Sequence, residues 1–132
     1  YVSSSFARQI AEAEAGAREP SIRVGNLSAR RDFTDVRDVA AAYAAIVERG
    51  QPGTPYNVCR GEATAIGDLL EGLTRHSRVP IRVMVDPDRH RAVDAPLLLG
   101  DPTKLRNDTG WSPRYSLAET LRDLLDDWRR RL

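Results

Sequence analysis

Apolar residues recur at helical spacing in several parts of the chain and in short extended runs in others. Val2, Phe6 and Ile10 repeat at four-residue spacing ahead of Gly16, which predicts a helix over 3–15. Short apolar runs bounded by Pro, Gly and polar residues predict strands. The predicted elements are a helix over 3–15, a strand over 22–25, an extended piece over 31–33, a helix over 35–49, a strand over 56–59, a helix from 64, a strand over 81–85, an irregular passage over 86–100, a helix over 101–109 and a last helix from 116. Helices alternate with short strands, so the predicted fold class is α/β.

The helix ends are predicted from capping residues and from charge. Ser3–Ser5 and Thr64 can each cap the helix that follows, and either Thr34 or Asp35 can cap the helix over 35–49. The terminal Arg129–Arg131 suits the negative end of the last helix dipole, and we expect these side chains to be solvated. The apolar face of the helix over 35–49 is formed by Val36, Val39, Ala40, Tyr43, Ile46 and Val47.

Composition and charge exclude several classes of protein. The 132 residues fit one domain, and 41% apolar with 30% charged residues is ordinary for a globular chain. Twenty basic against nineteen acidic side chains argues against a nucleic-acid partner, and no apolar run is long enough to span a membrane. A single cysteine, Cys59, excludes an intrachain disulfide, favours the cytosol and is predicted to be a small core residue. Because the chain begins at Tyr1 with no Met, we expect it to be part of something longer, or a trimmed product.

The candidate chemistry is anion binding by arginine. Arg31 stands at the extended piece before a helix start, and its planar fork suits a phosphate. The alternative is that Arg31 pairs with Asp32, Asp35 or Asp38 on a solvated surface. Arg31 could also converge with Arg89, Arg91 and Asp94 on one diphosphate, with the carboxylate of Asp94 accepting hydrogen bonds from ribose or base. Neither a glycine-rich phosphate loop nor a nucleophile with a His partner at motif spacing occurs in the sequence.

Three segments resemble extended short-chain dehydrogenases that act on nucleotide sugars, the NAD-dependent epimerase/dehydratase family. Residues 25–39, GNLSARRDFTDVRDV, resemble the "GNL…RDFTDVRDV" segment, and residues 53–61, GTPYNVCRG, resemble the "G-x-x-YNVCSG" strand. Residues 91–105, RAVDAPLLLGDPTKL, with 109–113, TGWSP, resemble "RPxDVPxLxGDxxKL…TGWxP". Ala92 replaces the usual Pro of this last motif. Within the family the resemblance is strongest to GDP-6-deoxy-D-mannose reductases, and then to GDP-mannose 4,6-dehydratases.

The resemblance implies a fold, a cofactor and partners. It implies that residues 1–132 are the C-terminal, nucleotide-sugar-binding portion of an extended Rossmann-type enzyme whose N-terminal dinucleotide-binding half is absent. NADP(H) or NAD(H) would be bound mainly by that half, which also carries the catalytic Tyr-x-x-x-Lys pair; no such pair occurs here. The 56–59 strand would join the sheet of that half. The full-length enzyme would be a cytoplasmic homodimer acting on a GDP-linked sugar.

The resemblance also implies the substrate-binding residues. Arg31 and Arg91 match diphosphate-binding positions, and Asp94 matches an acidic position near the nucleoside. Gln9 matches a first-helix position facing the nucleotide, and Asn26 and Leu27 fall where the chain passes the base. No catalytic, cofactor-binding or metal-binding residue is implied within the 132 residues. The leading hypothesis is therefore part of a reductase or dehydratase. The alternatives are another nucleotide-sugar epimerase, a non-catalytic nucleotide-sugar-binding module, or a structural fragment without a ligand.

Overall fold

The computed structural model describes residues 1–89 and 95–132 as five helices and five short strands joined by turns. The predicted order of helices and strands is confirmed except that residues 56–59 form no strand and two strands were not predicted, one over Ala63–Ala65 and one, Leu97–Leu98, within the passage over 86–100. The elements are α1 (Val2–Glu14), β1 (Ser21–Val24), β2 (Arg30–Asp32), α2 (Val36–Arg49), β3 (Ala63–Ala65), α3 (Ile66–Thr74), β4 (Arg82–Val85), a 3-10 turn (Pro87–Arg89), β5 (Leu97–Leu98), α4 (Thr103–Thr109) and α5 (Leu117–Arg131). No helix in the described part of the chain is long and apolar enough to cross a membrane.

Contacts divide the chain into two compact units, each with its own apolar centre. Unit 1 contains Tyr1–Ala29, Ala65–Pro96 and Ala118–Leu132, and unit 2 contains Arg30–Thr64 and Leu97–Leu117. In unit 1, α1 packs against α3 and β1, and its core includes Phe6, Ile10, Ile22, Leu69, Leu73, Leu121 and Leu125. In unit 2, α2 packs against α4 around Ala42, Ala45, Leu105 and Trp111.

The strands form two small sheets with parallel pairs. In unit 1, β1 pairs with β4 in the register Ser21 to Arg82 through Val24 to Val85. In the second sheet the order is β3-β2-β5, and β2 pairs in parallel with β5, Arg30 beside Leu97 and Arg31 beside Leu98. All four β4 residues are exposed, whereas their alternation predicted a single wet face.

Helix α2 begins as predicted and buries a different face from the predicted apolar one. Asp35 is its N-cap, and its carboxylate accepts a hydrogen bond from the backbone N–H of Arg37. The helix ends at Gly50, as the sequence indicates. The buried residues are Asp38, Ala42 and Ala45. Of the predicted apolar face, Ile46 packs partly buried against this core, whereas Val36, Tyr43 and Val47 are exposed. The helix therefore has two faces that are suited to packing, of which this chain covers one.

The predicted caps Ser3–Ser5 and Thr64 are wrong. Tyr1 is the N-cap of α1 and Ala65 is the N-cap of α3, and neither makes a side-chain cap hydrogen bond. The first-turn N–H groups of α3 instead donate to carbonyl oxygens of the loop that follows β1: Ile66 to Ala29 and Gly67 to Leu27. Backbone acceptors from another part of unit 1 thus replace the expected hydroxyl.

The predicted strand over 56–59 does not form in the described part of the chain, where these residues pair with no strand, and its pairing with the sheet of the other half stays a prediction. Side chains hold the segment in place. The hydroxyl of Tyr56 donates to Oδ2 of Asp108 at 2.8 Å and accepts from the backbone N–H of Gln51 at 2.9 Å. The backbone N–H groups of Arg60 and Gly61 donate to the carboxylate of Asp32.

The three terminal arginines differ in exposure and in their contacts. Arg130 and Arg131 are exposed as expected, but Arg129 crosses to α1. Its Nε and Nη2 donate to the two carboxylate oxygens of Glu14, each at 2.7 Å, its Nη1 donates to Asp126, and Nη2 also donates to the carbonyl of His76. The side chains of Arg129 and Glu14 are 16% and 6% exposed. This is a largely buried bidentate ion pair that joins α5 to α1.

Arg129→Met should destabilise the protein strongly, because it leaves the Glu14 carboxylate buried without its cation. We expect a loss of about 3–5 kcal/mol in the free energy of unfolding, measured by urea denaturation. Arg130→Met is the matched control, since Arg130 is 70% exposed and lies 3.5 Å from Asp127. That variant should lose about 0–1 kcal/mol. Equal losses in the two variants would contradict the assignment of Arg129 as the buried partner.

The Arg129–Glu14 ion pair should make the free energy of unfolding depend on pH in the acid range. The hydrogen bonds from Arg129 lower the pKa of Glu14 below its ordinary value of 4.5, although burial acts in the opposite direction. A depressed carboxyl pKa adds stability that is fully present above pH 4.5 and is lost as the pH falls through the folded-state pKa. The difference in free energy of unfolding between the wild type and Arg129→Met should therefore narrow below pH 4.5. A difference that stays constant from neutral pH into this range would show that Glu14 does not titrate in this way.

Candidate functional site

Gln9 lies on α1 and is buried. Its Nε2 donates to the carbonyl oxygen and to the hydroxyl of Ser5 at 3.2 and 3.3 Å, one turn earlier in the same helix. These contacts fix the amide and leave its carbonyl oxygen, Oε1, as the group suited to accept a hydrogen bond from a donor. The helix as a whole is held by its packing against α3 and β1.

Asn26 and Leu27 lie in the loop that follows β1. Oδ1 of Asn26 accepts from the backbone N–H of Ser28 at 2.9 Å and from its hydroxyl at 2.7 Å, which is an Asx turn. The carbonyl oxygen of Leu27 accepts from Gly67 at the start of α3. A Cβ added at Gly67 would lie 3.4 Å from this carbonyl oxygen, so loop and helix approach closely here. The two predicted base-contacting residues are thus on a well-anchored backbone.

Arg31 lies in the middle of β2 and is partly buried. Its Nη1 donates to the carbonyl oxygen of Arg30 at 2.8 Å. The pairing of β2 with β5 places Arg31 beside Leu98, and β5 begins three residues after Asp94 in the sequence. Arg89 ends the 3-10 turn, and the other two predicted residues, Arg91 and Asp94, lie outside the described residues.

The three carboxylates proposed as alternative partners of Arg31 each hold another group. Asp32 accepts from the backbone N–H of Arg60 at 3.0 Å and of Gly61 at 2.8 Å. Asp35 caps α2 and forms a bidentate pair with the Arg37 guanidinium at 2.8 and 2.9 Å. These two acids therefore stabilise turns and a helix start.

Asp38 is the most deeply buried of the three, with 2% of its surface exposed. Its carboxylate oxygens accept from the backbone N–H groups of Arg114 and Tyr115 at 2.9 and 3.2 Å. Its main-chain carbonyl accepts from the indole N–H of Trp111 at 3.0 Å. One residue of α2 thereby fixes the whole loop over 111–115. Sequence reasoning missed this role, because nothing near Asp38 in the sequence indicates a partner so far along the chain.

Cys59 is half-buried, with its sulfur against Gly100 and near Asp32. A Cβ added at Gly100 would overlap this sulfur, so the close approach requires glycine. Burial raises the pKa of the Cys59 thiol, and the nearby Asp32 and Asp101 carboxylates raise it further. The thiol is therefore neutral at physiological pH, which agrees with a packing role for this residue and not with a nucleophilic one.

The starts of α2 and α3 do not fit the pyrophosphate of a dinucleotide. Such a group binds at a helix N-terminus after a strand, where free backbone N–H groups face it. Three described helices, α2, α3 and α4, follow a strand closely, and at the start of α4 the N–H of Thr103 already donates to the carboxylate of Asp101 at 2.9 Å. At the start of α2 the buried carboxylate of Asp35 occupies the position that the anion would take. At the start of α3, the N–H groups of Ile66 and Gly67 already donate to loop carbonyls.

Comparison with known proteins assigns the chain to a family. A model of the GDP-mannose 4,6 dehydratase family matches residues 1–124. The chain belongs to this family, and so to the NAD-dependent epimerase/dehydratase group of extended short-chain dehydrogenases. Its mixed α/β structure corresponds to the C-terminal part of these enzymes. The class assigned by the sequence motifs is confirmed.

Three individual relatives can be compared in detail. The chain is 36% identical over all 132 residues to the GDP-6-deoxy-D-mannose reductase of Pseudomonas aeruginosa, and it covers 43% of that protein. All of the chain superposes on the solved structure of RMD from Pseudomonas aeruginosa complexed with NADPH, with a TM-score of 0.92 and 34% sequence identity. The superposed region is 43% of that structure. The UDP-Glc/GlcNAc 4-epimerase of Campylobacter jejuni matches 96% of the chain at a TM-score of 0.73 and 26% identity, with 40% of that structure covered. The chain thus spans less than half the length of these relatives.

Proposed function

We propose that residues 1–132 are the nucleotide-sugar-binding portion of a reductase that converts GDP-4-dehydro-6-deoxy-D-mannose to GDP-6-deoxy-D-mannose (GDP-rhamnose). The observation that carries this proposal is the 36% identity to a GDP-6-deoxy-D-mannose reductase along the entire chain. The reaction moves a hydride from NADPH to C4 of the sugar, and a proton to the oxygen of the same carbon. The relative solved with NADPH supports that cofactor.

The cofactor is bound, in this proposal, mainly by a part of the full-length enzyme that precedes Tyr1. The starts of α2 and α3 support this, since a carboxylate caps one of them and loop carbonyls occupy the N–H groups of the other. The exposed side chains of Val36, Tyr43 and Val47 supply an apolar face that the preceding part could cover. The hydride donor then comes from that part, and the sugar is held by this one.

The substrate is held, in the same proposal, by Gln9, Asn26, Leu27, Arg31, Arg91 and Asp94. The guanidinium groups of Arg31 and Arg91 bind the diphosphate, since planar forks donate bidentately to phosphate oxygens. The amide of Gln9 and the Asn26–Leu27 backbone contact the nucleotide, and the carboxylate of Asp94 accepts from ribose or base donors. The parallel pairing of β2 with β5 supports the role of Arg31, because β5 follows the segment of Arg91 and Asp94 in sequence.

A GDP-mannose 4,6-dehydratase is the second candidate, because the matching family model carries that description. Incubating the full-length enzyme with each substrate separates the two activities. The reductase consumes NADPH when given GDP-4-dehydro-6-deoxy-D-mannose, and the dehydratase forms that same compound from GDP-mannose without net use of the cofactor. Formation of the 4-keto product from GDP-mannose, with no reduction of the keto sugar, would replace the first proposal by the second.

Loss of either arginine should weaken binding of the nucleotide. We expect Arg31→Ala and Arg91→Ala in the full-length enzyme to cost about 1.5–3 kcal/mol each in GDP binding by calorimetry, the contribution of hydrogen bonds to a charged group. Arg31→Lys and Arg91→Lys should recover little, because a point charge cannot replace the fork. Arg122→Ala is the control, since this exposed arginine pairs with its neighbour Asp123. A variant with unchanged GDP affinity would remove its arginine from the site.

The 132 residues alone should not oxidise NADPH. The sequence contains no Tyr-x-x-x-Lys pair and no glycine-rich dinucleotide fingerprint, so we expect no turnover with any GDP-linked keto sugar. The measurement is NADPH absorbance with the purified chain, beside the full-length enzyme as a positive control. Saturable turnover by the purified chain would show that these residues contain their own catalytic group.

A further inference from the structure

We propose that Asp32 is a positioning residue for Arg31: it fixes the end of β2 so that the Arg31 fork faces the nucleotide diphosphate. The inference rests on the proposed function, in which Arg31 binds that diphosphate. The sequence motifs give Asp32 no role in substrate binding, and the structure supplies one through its two carboxylate oxygens.

The carboxylate of Asp32 accepts hydrogen bonds from two consecutive backbone N–H groups. Oδ1 accepts from the N–H of Arg60 at 3.0 Å, and Oδ2 accepts from the N–H of Gly61 at 2.8 Å. The hydroxyl of Thr34 lies 3.4 Å from Oδ1 as a third donor. Charge-assisted hydrogen bonds of this kind are shorter and stronger than neutral ones. Two of them in parallel fix both the position and the rotation of the carboxylate.

The turn that supplies these donors is itself held from several sides. Gly61 has a φ of +83°, and a Cβ added there would lie 3.1 Å from the Pro102 ring. The carbonyl of Arg60 accepts from Nη2 of Arg106 at 2.7 Å, and Nη1 of Arg60 donates to the carbonyl of Tyr115 at 2.8 Å. The turn over 60–61 is therefore held rigidly within unit 2, and the hydrogen bonds of the Asp32 carboxylate tie the end of β2 to this turn.

The constraint passes directly from Asp32 to Arg31. Successive side chains of a strand point to opposite faces, so anchoring Asp32 on one face sets the direction of Arg31 on the other. The strand is only three residues long and lies between β3 and β5, and its register with β5 pairs Arg30 with Leu97 and Arg31 with Leu98. Asp32 itself stands beyond those pairs. Without its carboxylate contacts, the end of β2 could turn and carry the Arg31 fork away from the diphosphate.

A double-mutant cycle on the full-length enzyme tests this, with GDP as the probe and calorimetry as the readout. Asp32→Asn preserves shape but turns one oxygen into an N–H₂ donor that faces a backbone N–H. We expect Arg31→Ala to weaken GDP binding about 10- to 150-fold, and Asp32→Asn to weaken it about 3- to 20-fold. In the Arg31→Ala background, Asp32→Asn should weaken binding less than about 2-fold, because the group that it positions is gone.

Asp38→Asn is the matched control. Asp38 also accepts from two consecutive backbone N–H groups of unit 2, those of Arg114 and Tyr115. The loop that it holds contacts the 60–61 turn through Nη1 of Arg60, which donates to the Tyr115 carbonyl, so Asp38 reaches Arg31 only indirectly. The factor that Asp38→Asn costs should therefore differ less between the two backgrounds than the factor that Asp32→Asn costs. Asp32→Glu is a second variant, in case the asparagine destabilises the protein. It keeps the charge and lengthens the side chain, and it should show the same coupling to Arg31.

The outcomes separate this inference from the proposed function. Unchanged GDP affinity in Arg31→Ala would remove Arg31 from the diphosphate and overturn both the proposed site and the role of Asp32. A weakened Arg31→Ala, with Asp32 variants that cost the same factor in both backgrounds, would leave the site standing and overturn the positioning role alone. Asp32 variants that do not change GDP affinity at all would overturn that role as well.

Discussion

A buried carboxylate that accepts two consecutive backbone N–H groups is the interaction on which unit 2 depends. Asp38 receives the N–H groups of Arg114 and Tyr115, while its carbonyl receives the Trp111 indole. A charge at 2% exposure is tolerable only where such donors satisfy it. The loop over 111–115 has no regular hydrogen-bond ladder of its own, so its backbone takes its position from this acid. Asp32 has the same relation to the turn over 60–61.

Most of the charged residues in the motif that identifies the family have structural roles. In the segment RDFTDVRDV the three acids at 32, 35 and 38 hold a turn, a helix start and a loop. Arg37 pairs with Asp35 and stacks on the Tyr115 ring at 3.7 Å. Arg31 is the charged group of the motif that we assign to the ligand. A segment that is rich in charge can therefore identify an enzyme family mainly through its structural contacts.

Local pattern predicted most of the elements, and long-range contacts account for what it did not predict. Four of the helices follow from apolar spacing and α4 follows from its Asp-Pro start, and α2 and α4 end at glycines as expected. The bidentate pair of Arg129 with Glu14 joins residues at opposite ends of the chain, so no local pattern could indicate it. Strand β5 has two residues and exists through its pairing with β2. Residues 56–59 have strand composition, but side-chain hydrogen bonds anchor the segment instead.

For the described residues of the candidate site, the sequence predicted the helix, strand or loop on which each lies but not its hydrogen-bond partners. The motifs placed Arg31 on a short strand and Asn26 and Leu27 in a loop, and the structure agrees with those positions. The partners of these residues were not predictable, because each depends on a neighbour brought close by folding, such as Gly67 for the Leu27 carbonyl. For helix α2, the local pattern likewise did not predict which face is buried. Its periodicity marks Val36, Tyr43 and Val47 as a packing face, yet this chain buries the adjacent face instead. Periodicity reports every face that is suited to burial, and only tertiary structure decides which of them this chain covers.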